Sequence, residues 1–157
     1  MAKKKPSHAD AELILRLYDL RREAVMRESR RTMASWVPRG FDDLQAIIKP
    51  THPANAAWRQ VTSYYEMAFG FARHGIVPAD FLAENAGEGL FLFAKIEPYL
   101  EAFRKETAPT AFRNAEWLAR KSMAARERLK IFRKRVKTML SQPAPEPARQ
   151  PVGALVT

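Results

Sequence analysis

Two carboxylates stand in settings where a carboxyl group could do acid–base work. Glu66 lies among Tyr64, Tyr65, Met67 and Phe69, with Arg59 seven residues earlier on the same helical face. Glu88 lies between Gly87 and Gly89, one turn after Glu84. A carboxyl in apolar surroundings is raised in pKa and can act as a general acid or base near neutrality. The competing expectation is structural: an ion pair with Arg59, Arg21 or Arg22 that fixes how helices dock, since buried charges are generally paired. Arg21, Arg59, Glu66 and Glu88 are therefore the candidate buried polar cluster. This cluster is also the only basis for a small-molecule pocket or an enzymatic function.

Other constellations are poorer. His8, His52 and His74 fall in three separate segments without a neighbouring ligand set, and no cysteine is present, so no metal site is expected. Ser35 and Ser63 have no histidine near them in sequence. Gly87-Glu88-Gly89 lacks the lysine and hydroxyl residue of a phosphate loop and follows no strand, so close helix packing accounts for the glycines better, and no cofactor is expected.

The remaining pattern is electrostatic. Arg126, Lys130, Arg133 and Lys137 recur at four-three-four steps and form a ridge, flanked by Lys134, Arg128 and Arg135. Such a ridge can follow a phosphate backbone, or simply keep a protein dissolved. No aromatic residue interleaves with it to stack bases, and no helix-turn-helix spacing accompanies it. Opposite the charges, Leu129, Phe132 and Val136 make an apolar seam suited to docking on the rest of the chain, on a second copy, or on a membrane surface.

These residues need helices to position them. Residues 8–36 predict one long amphipathic helix with Ser7 as N-cap and Leu13, Leu17, Leu20 and Ala24 on one face. A short helix fits 42–48, followed by a proline-rich turn. A third helix spans about 54–74, with Trp58, Val61, Tyr65, Ala68 and Ala72 as its stripe and Gly75 as a left-handed cap. Pro78 opens a fourth helix, and Gly87-Glu88-Gly89 interrupts the chain before a heavily buried helix over 90–105, with Pro98 at a kink or boundary. The last helix is drawn over 110–140. No run alternates with period two, so the expected fold is an all-α single-domain bundle of about five helices with a long basic C-terminal helix. Core candidates are Leu13, Leu17, Leu20, Trp58, Val61, Tyr65, Phe69, Phe81, Phe93, Ile96, Leu100, Phe103, Trp117, Leu118 and Leu129.

Composition agrees with one domain. The 157 residues are 46% hydrophobic and 28% charged, with a net charge of +10. Residues 1–31 carry nine Lys/Arg against five Asp/Glu, residues 39–106 seven against nine, and residues 113–137 ten against two. A near-neutral body with basic ends suits an acidic partner surface such as nucleic acid. Residues 1–7 read as a flexible basic N-terminus, 8–140 as the helical domain and 141–157 as a disordered proline-rich tail. No secretory leader or membrane span is read, so the expected location is cytoplasmic.

Three phrases carry a resemblance: Arg16-Leu17-Tyr18-Asp19-Leu20-Arg21-Arg22-Glu23, Trp58 through Met67, and Asn85 through Leu100. They resemble an uncharacterised family of small helical bacterial proteins. The resemblance implies an all-α fold and a bacterial origin, and it implies no site residues. The functional expectation is a non-enzymatic interaction protein, possibly self-associating as a homo-oligomer. Nucleic-acid binding through the basic helix and a carboxylate–arginine pocket are the alternatives.

Overall fold

A computed structural model describes residues 5–144, which are helical with no strand among them. The first helix, α1 (His8–Arg22), begins on a capping box. The Ser7 hydroxyl accepts the Asp10 N–H at 3.2 Å and the Asp10 carboxylate accepts the Ser7 N–H at 2.7 Å. The helix expected over 8–36 does not run through. Glu23 turns extended (φ −55°, ψ 140°), and its carboxylate accepts the N–H groups of Val25 and Met26, starting α2 (Ala24–Ser35) afresh. The break re-aims the leucine stripe: Ile14 and Leu17 are buried, Leu13 is half-buried, and Leu20 is 55% exposed.

After α3 (Phe41–Ile47) comes α4 (Asn55–Arg73), whose buried face is the predicted stripe of Trp58, Val61, Tyr65, Ala68 and Ala72. Gly75 ends it at φ 73°, in the left-handed region where a Cβ is penalised, and Ile76 N–H bonds the Phe71 carbonyl at 2.9 Å. Next come α5 (Ala79–Asn85) and α6 (Gly87–Ile96). The interruption lies at Ala86; the two glycines belong to the first turn of α6, which they were expected to precede. Pro98 falls in a 3-10 turn, Glu97–Tyr99, between α6 and α7 (Leu100–Glu106).

The helix drawn over 110–140 is also divided. α8 (Arg113–Lys121) stops at Ser122, which turns extended and caps α9 (Met123–Ser141) by accepting the Ala125 N–H at 3.0 Å. Hence the described residues hold more, shorter helices than the five expected. The proposed tail from residue 145 onward and residues 1–4 of the proposed flexible N-terminus lie outside the described residues.

One hydrophobic core joins these elements. α4 packs between α2 and α8, and α6 is covered by α9, with α5 also against α9. Residues 90–96 of α6 are all buried, Lys95 among them, as a helix otherwise apolar on every face requires. Trp58 sits edge-on to Trp36, Phe103 and Phe112, with centroids 5.6, 6.4 and 5.8 Å away. Phe81 and Trp117 are only half-buried, while the other core candidates beyond α1 are buried.

Candidate functional site

Of the four residues expected in a polar cluster, the fold brings two together. The first turn of α6 aims Glu88 at the α1–α2 elbow. There its Oε1 lies 3.0 Å from Arg21 Nη2, and its Oε2 accepts Arg30 Nε at 2.6 Å and the Tyr65 hydroxyl at 2.9 Å. Arg30 also donates to the Arg21 carbonyl at 3.2 Å, closing the elbow. Burial pushes the Glu88 carboxyl up, but the Arg30 hydrogen bonds, the Arg21 charge and the Tyr65 hydroxyl outweigh it and hold it below the usual range. The Tyr65 hydroxyl is driven well above its ordinary value by burial and by the Glu88 charge. Tyr64, which donates to the Leu17 carbonyl at 2.6 Å, is pushed up to about 12, chiefly by burial. A carboxylate held ionised by two guanidiniums is a clamp joining α1, α2, α4 and α6, and a poor proton donor. Arg30 and Tyr65 complete it, although the sequence placed Tyr65 in the core stripe and did not single out Arg30.

Glu66 and Arg59 are elsewhere. Glu66 accepts the N–H groups of Asn114 at 3.1 Å and Ala115 at 2.8 Å, and Asn114 Nδ2 donates to the Glu66 carbonyl at 2.9 Å. It therefore caps α8 from a different helix. Phe112, in the left-handed region at φ 54°, supplies no side-chain cap of its own. Burial raises the Glu66 carboxyl even against these two backbone donors. Arg59 is exposed and lines, with Trp58, Ser63, Glu66, Phe103 and Phe112, an open groove of about 600 Å³. Glu66→Ala should lower stability by about 1–2 kcal/mol, the worth of a helix cap. Thermal unfolding should show this as a drop of several degrees.

Sequence reasoning missed Lys95 altogether. Its side chain is 1% exposed, and its amine donates to the carbonyls of Met33 at 2.8 Å and Ala34 at 3.0 Å, in the last turn of α2. It also sits 4.2 Å from the centroid of the Phe91 ring. Burial first, then the neighbouring Arg135 charge, pushes its pKa down to about 7. The available signal was a single charge inside the otherwise apolar run 90–96.

α9 carries the basic ridge on the face opposite its buried Ala125, Leu129 and Val136. Two members are tied down: Arg133 makes a bidentate pair with Glu97, its Nη2 at 2.9 Å, and Arg126 donates to the Arg120 carbonyl at 2.7 Å. Lys130, Lys134 and Lys137 are exposed and meet no carboxylate among the described residues. Arg128 donates to the Glu84 carbonyl and Arg135 lies over the Phe91 ring, so the flanking arginines serve the fold.

The model of a family described as a domain of unknown function (DUF4760) matches residues 6–122. The chain belongs to that family. Searches of curated proteins and of solved structures find no match. The DUF4760 match takes in the Glu88 clamp, the Glu66 cap and Lys95, and it ends at the Ser122 cap, so the α9 ridge lies beyond it. Among the described residues of this DUF4760 chain, no group of three His, Cys, Asp or Glu could hold a metal. No helix of theirs is long and apolar enough to cross a membrane.

Proposed function

We propose that the chain is a helical interaction protein that binds a polyanionic backbone, nucleic acid first, through the solvent face of α9. The observation that carries this reading is the division of labour on α9. Its apolar seam is spent on α5 and α6, whereas Lys130, Lys134 and Lys137 stand exposed without carboxylate partners among the described residues. With Arg126 they follow four-four-three steps along roughly 16 Å of helix, enough to reach several consecutive phosphates. Location in the cytoplasm fits this reading. The carboxylate–arginine pocket is kept as a lesser reading: Arg59 and Glu66 share the open groove along α4, while Glu88, engaged by Arg21, Arg30 and Tyr65, lies apart from it.

Fluorescence anisotropy with a labelled duplex tests the proposal. Three to four neutralised phosphates should weaken binding roughly 40- to 150-fold between 50 and 200 mM salt. Reversing Arg126, Lys130, Lys134 and Lys137 to Glu should remove binding while helicity stays unchanged. Absence of binding by the wild type at 50 mM salt would sink the idea.

Self-association is a second reading, favoured by the exposure of Leu15 (64%) on α1 and Val25 (63%) on α2. With the α9 seam docked, these side chains and Ile131 (65%) on the outer side of α9 would carry it. Sedimentation that shows only monomer at high micromolar concentration would remove it.

A further inference from the structure

Lys95 is a buried amine whose hydrogen-bond partners among the described residues are two backbone carbonyls, Met33 and Ala34, at 2.8 and 3.0 Å. An uncharged amine has two N–H groups and a lone pair, so these acceptors satisfy its donors completely. A third proton would find no acceptor oxygen among the described residues, only Phe91 and the small cavity that Phe91 helps to wall. The charges around it are mostly of its own sign: Arg135 of α9 over the same ring at 4.5 Å, and Arg30 of α2. Among the described residues that line the space beside the amine, Glu88 of α6 is the acid, and it is already engaged by Arg21, Arg30 and Tyr65.

A cavity of about 30 Å³ adjoins the amine, walled by Arg30, Ala34, Val61, Glu88 and Phe91. Ala34 of α2 and Glu88 of α6, two of its walls, are exposed, which places the cavity close to the surface. One water needs roughly 10–15 Å³ by this measure, so there is room for two waters or one linear triatomic molecule. Any aldehyde or ketone with a side chain is too large.

We propose that Lys95 is a carbon dioxide site, at which the gas is taken up as a carbamate. The Nζ lone pair forms a bond to the carbon, one C=O π pair moves onto oxygen, and the nitrogen gives one proton to water. No electron changes hands and no further reactant is required. The remaining N–H keeps one carbonyl, and the Ala34 carbonyl, at the exposed end, turns to water. Arg30 lines the cavity and Arg135 lies over the Phe91 ring, so the positive charges that disfavour a protonated amine favour the new negative one.

The test uses the full chain in ¹³C-labelled bicarbonate at pH 8, with carbamates trapped as esters by a trialkyloxonium salt and located by peptide mass spectrometry. The expected result is a labelled Lys95 peptide, absent in Lys95→Met. Because that substitution alters the core, Arg135→Gln, on the outer side of α9, is the second variant. It should keep its circular dichroism spectrum and lose several-fold in Lys95 labelling. Labelling confined to exposed lysines or to the α-amine overturns the proposal, and so does Lys95 labelling unchanged by Arg135→Gln.

Discussion

Gly89→Ala should lower stability by about 3 kcal/mol, although alanine is the better helix former by roughly 1 kcal/mol. A Cβ at residue 89 would stand 2.5 Å from Tyr65 Cγ and 2.7 Å from Phe69 Cζ, and it would also press on Tyr65 Cδ1. Tyr65 Cγ is the root of a buried ring, so the ring cannot swing clear, and α4 and α6 must separate instead. Overpacking of this kind costs about 1–3 kcal/mol by itself. Displacing Tyr65 also pulls its hydroxyl from Glu88, which loosens the clamp that Arg21 and Arg30 share. Together these outweigh the gain in helix propensity. For a domain of this size the midpoint of thermal unfolding should fall by about 6–12 °C.

Gly87→Ala supplies the control, because it lies on the same turn of the same helix. There the nearest atom to a new Cβ is Arg128 Nη1 at 2.7 Å, the far end of a flexible side chain. Arg128 can step aside at the expense of its hydrogen bond to the Glu84 carbonyl. The change should stay within about 1 kcal/mol of wild type. Equal losses at both glycines would contradict the contact geometry.

Close packing through Gly87-Glu88-Gly89 was legible from composition alone, as were the stripe of α4, the Gly75 cap and the boundary at Pro98. What could not be read was which glycine meets backbone-proximal atoms and which meets a flexible tip. The breaks at Glu23 and Ser122 were missed because apolar spacing continues across each of them, and spacing is blind to a one-residue turn of the chain. Ser122 did offer a signal, being a strong N-cap type inside a run of good helix formers. Glu23 offered none, since a glutamate there suits a helix interior equally well. The polar cluster divided for a related reason. Glu66 and Arg59 share a face of α4 by spacing, but the left-handed turn at Phe112 delivers the N-terminus of α8 to Glu66 first. Such a meeting, 48 residues apart in sequence, leaves no local trace.

Lys95→Met should abolish a rise in stability that the wild type shows as pH increases from 7 towards 10. The folded-state pKa is pushed from an ordinary 10.5 down to about 7 by burial, with the Arg135 charge adding to it. Between those two values the unfolded chain binds a proton that the folded chain does not, so folding is favoured as pH rises. Below pH 7 both states carry the proton, and the penalty of burying the charge is present in full and constant. Each pH unit within the window is worth about 1.4 kcal/mol, so the gain from pH 7 to 9 is roughly 2–3 kcal/mol. At pH 7 the variant should differ little from wild type. Removing a buried charge stabilises the fold, while leaving the Met33 and Ala34 carbonyls without a donor destabilises it by a comparable amount. The two denaturant midpoints should therefore nearly coincide at neutral pH and diverge in favour of the wild type as pH rises. Other titrating groups are common to both proteins and cancel in the difference. Parallel curves from pH 6 to 9 would show that Lys95 keeps its charge inside the fold. They would also mean that its lone pair is not free for carbon dioxide at neutral pH, so this measurement bears on the proposed carbamate without adding any carbon dioxide.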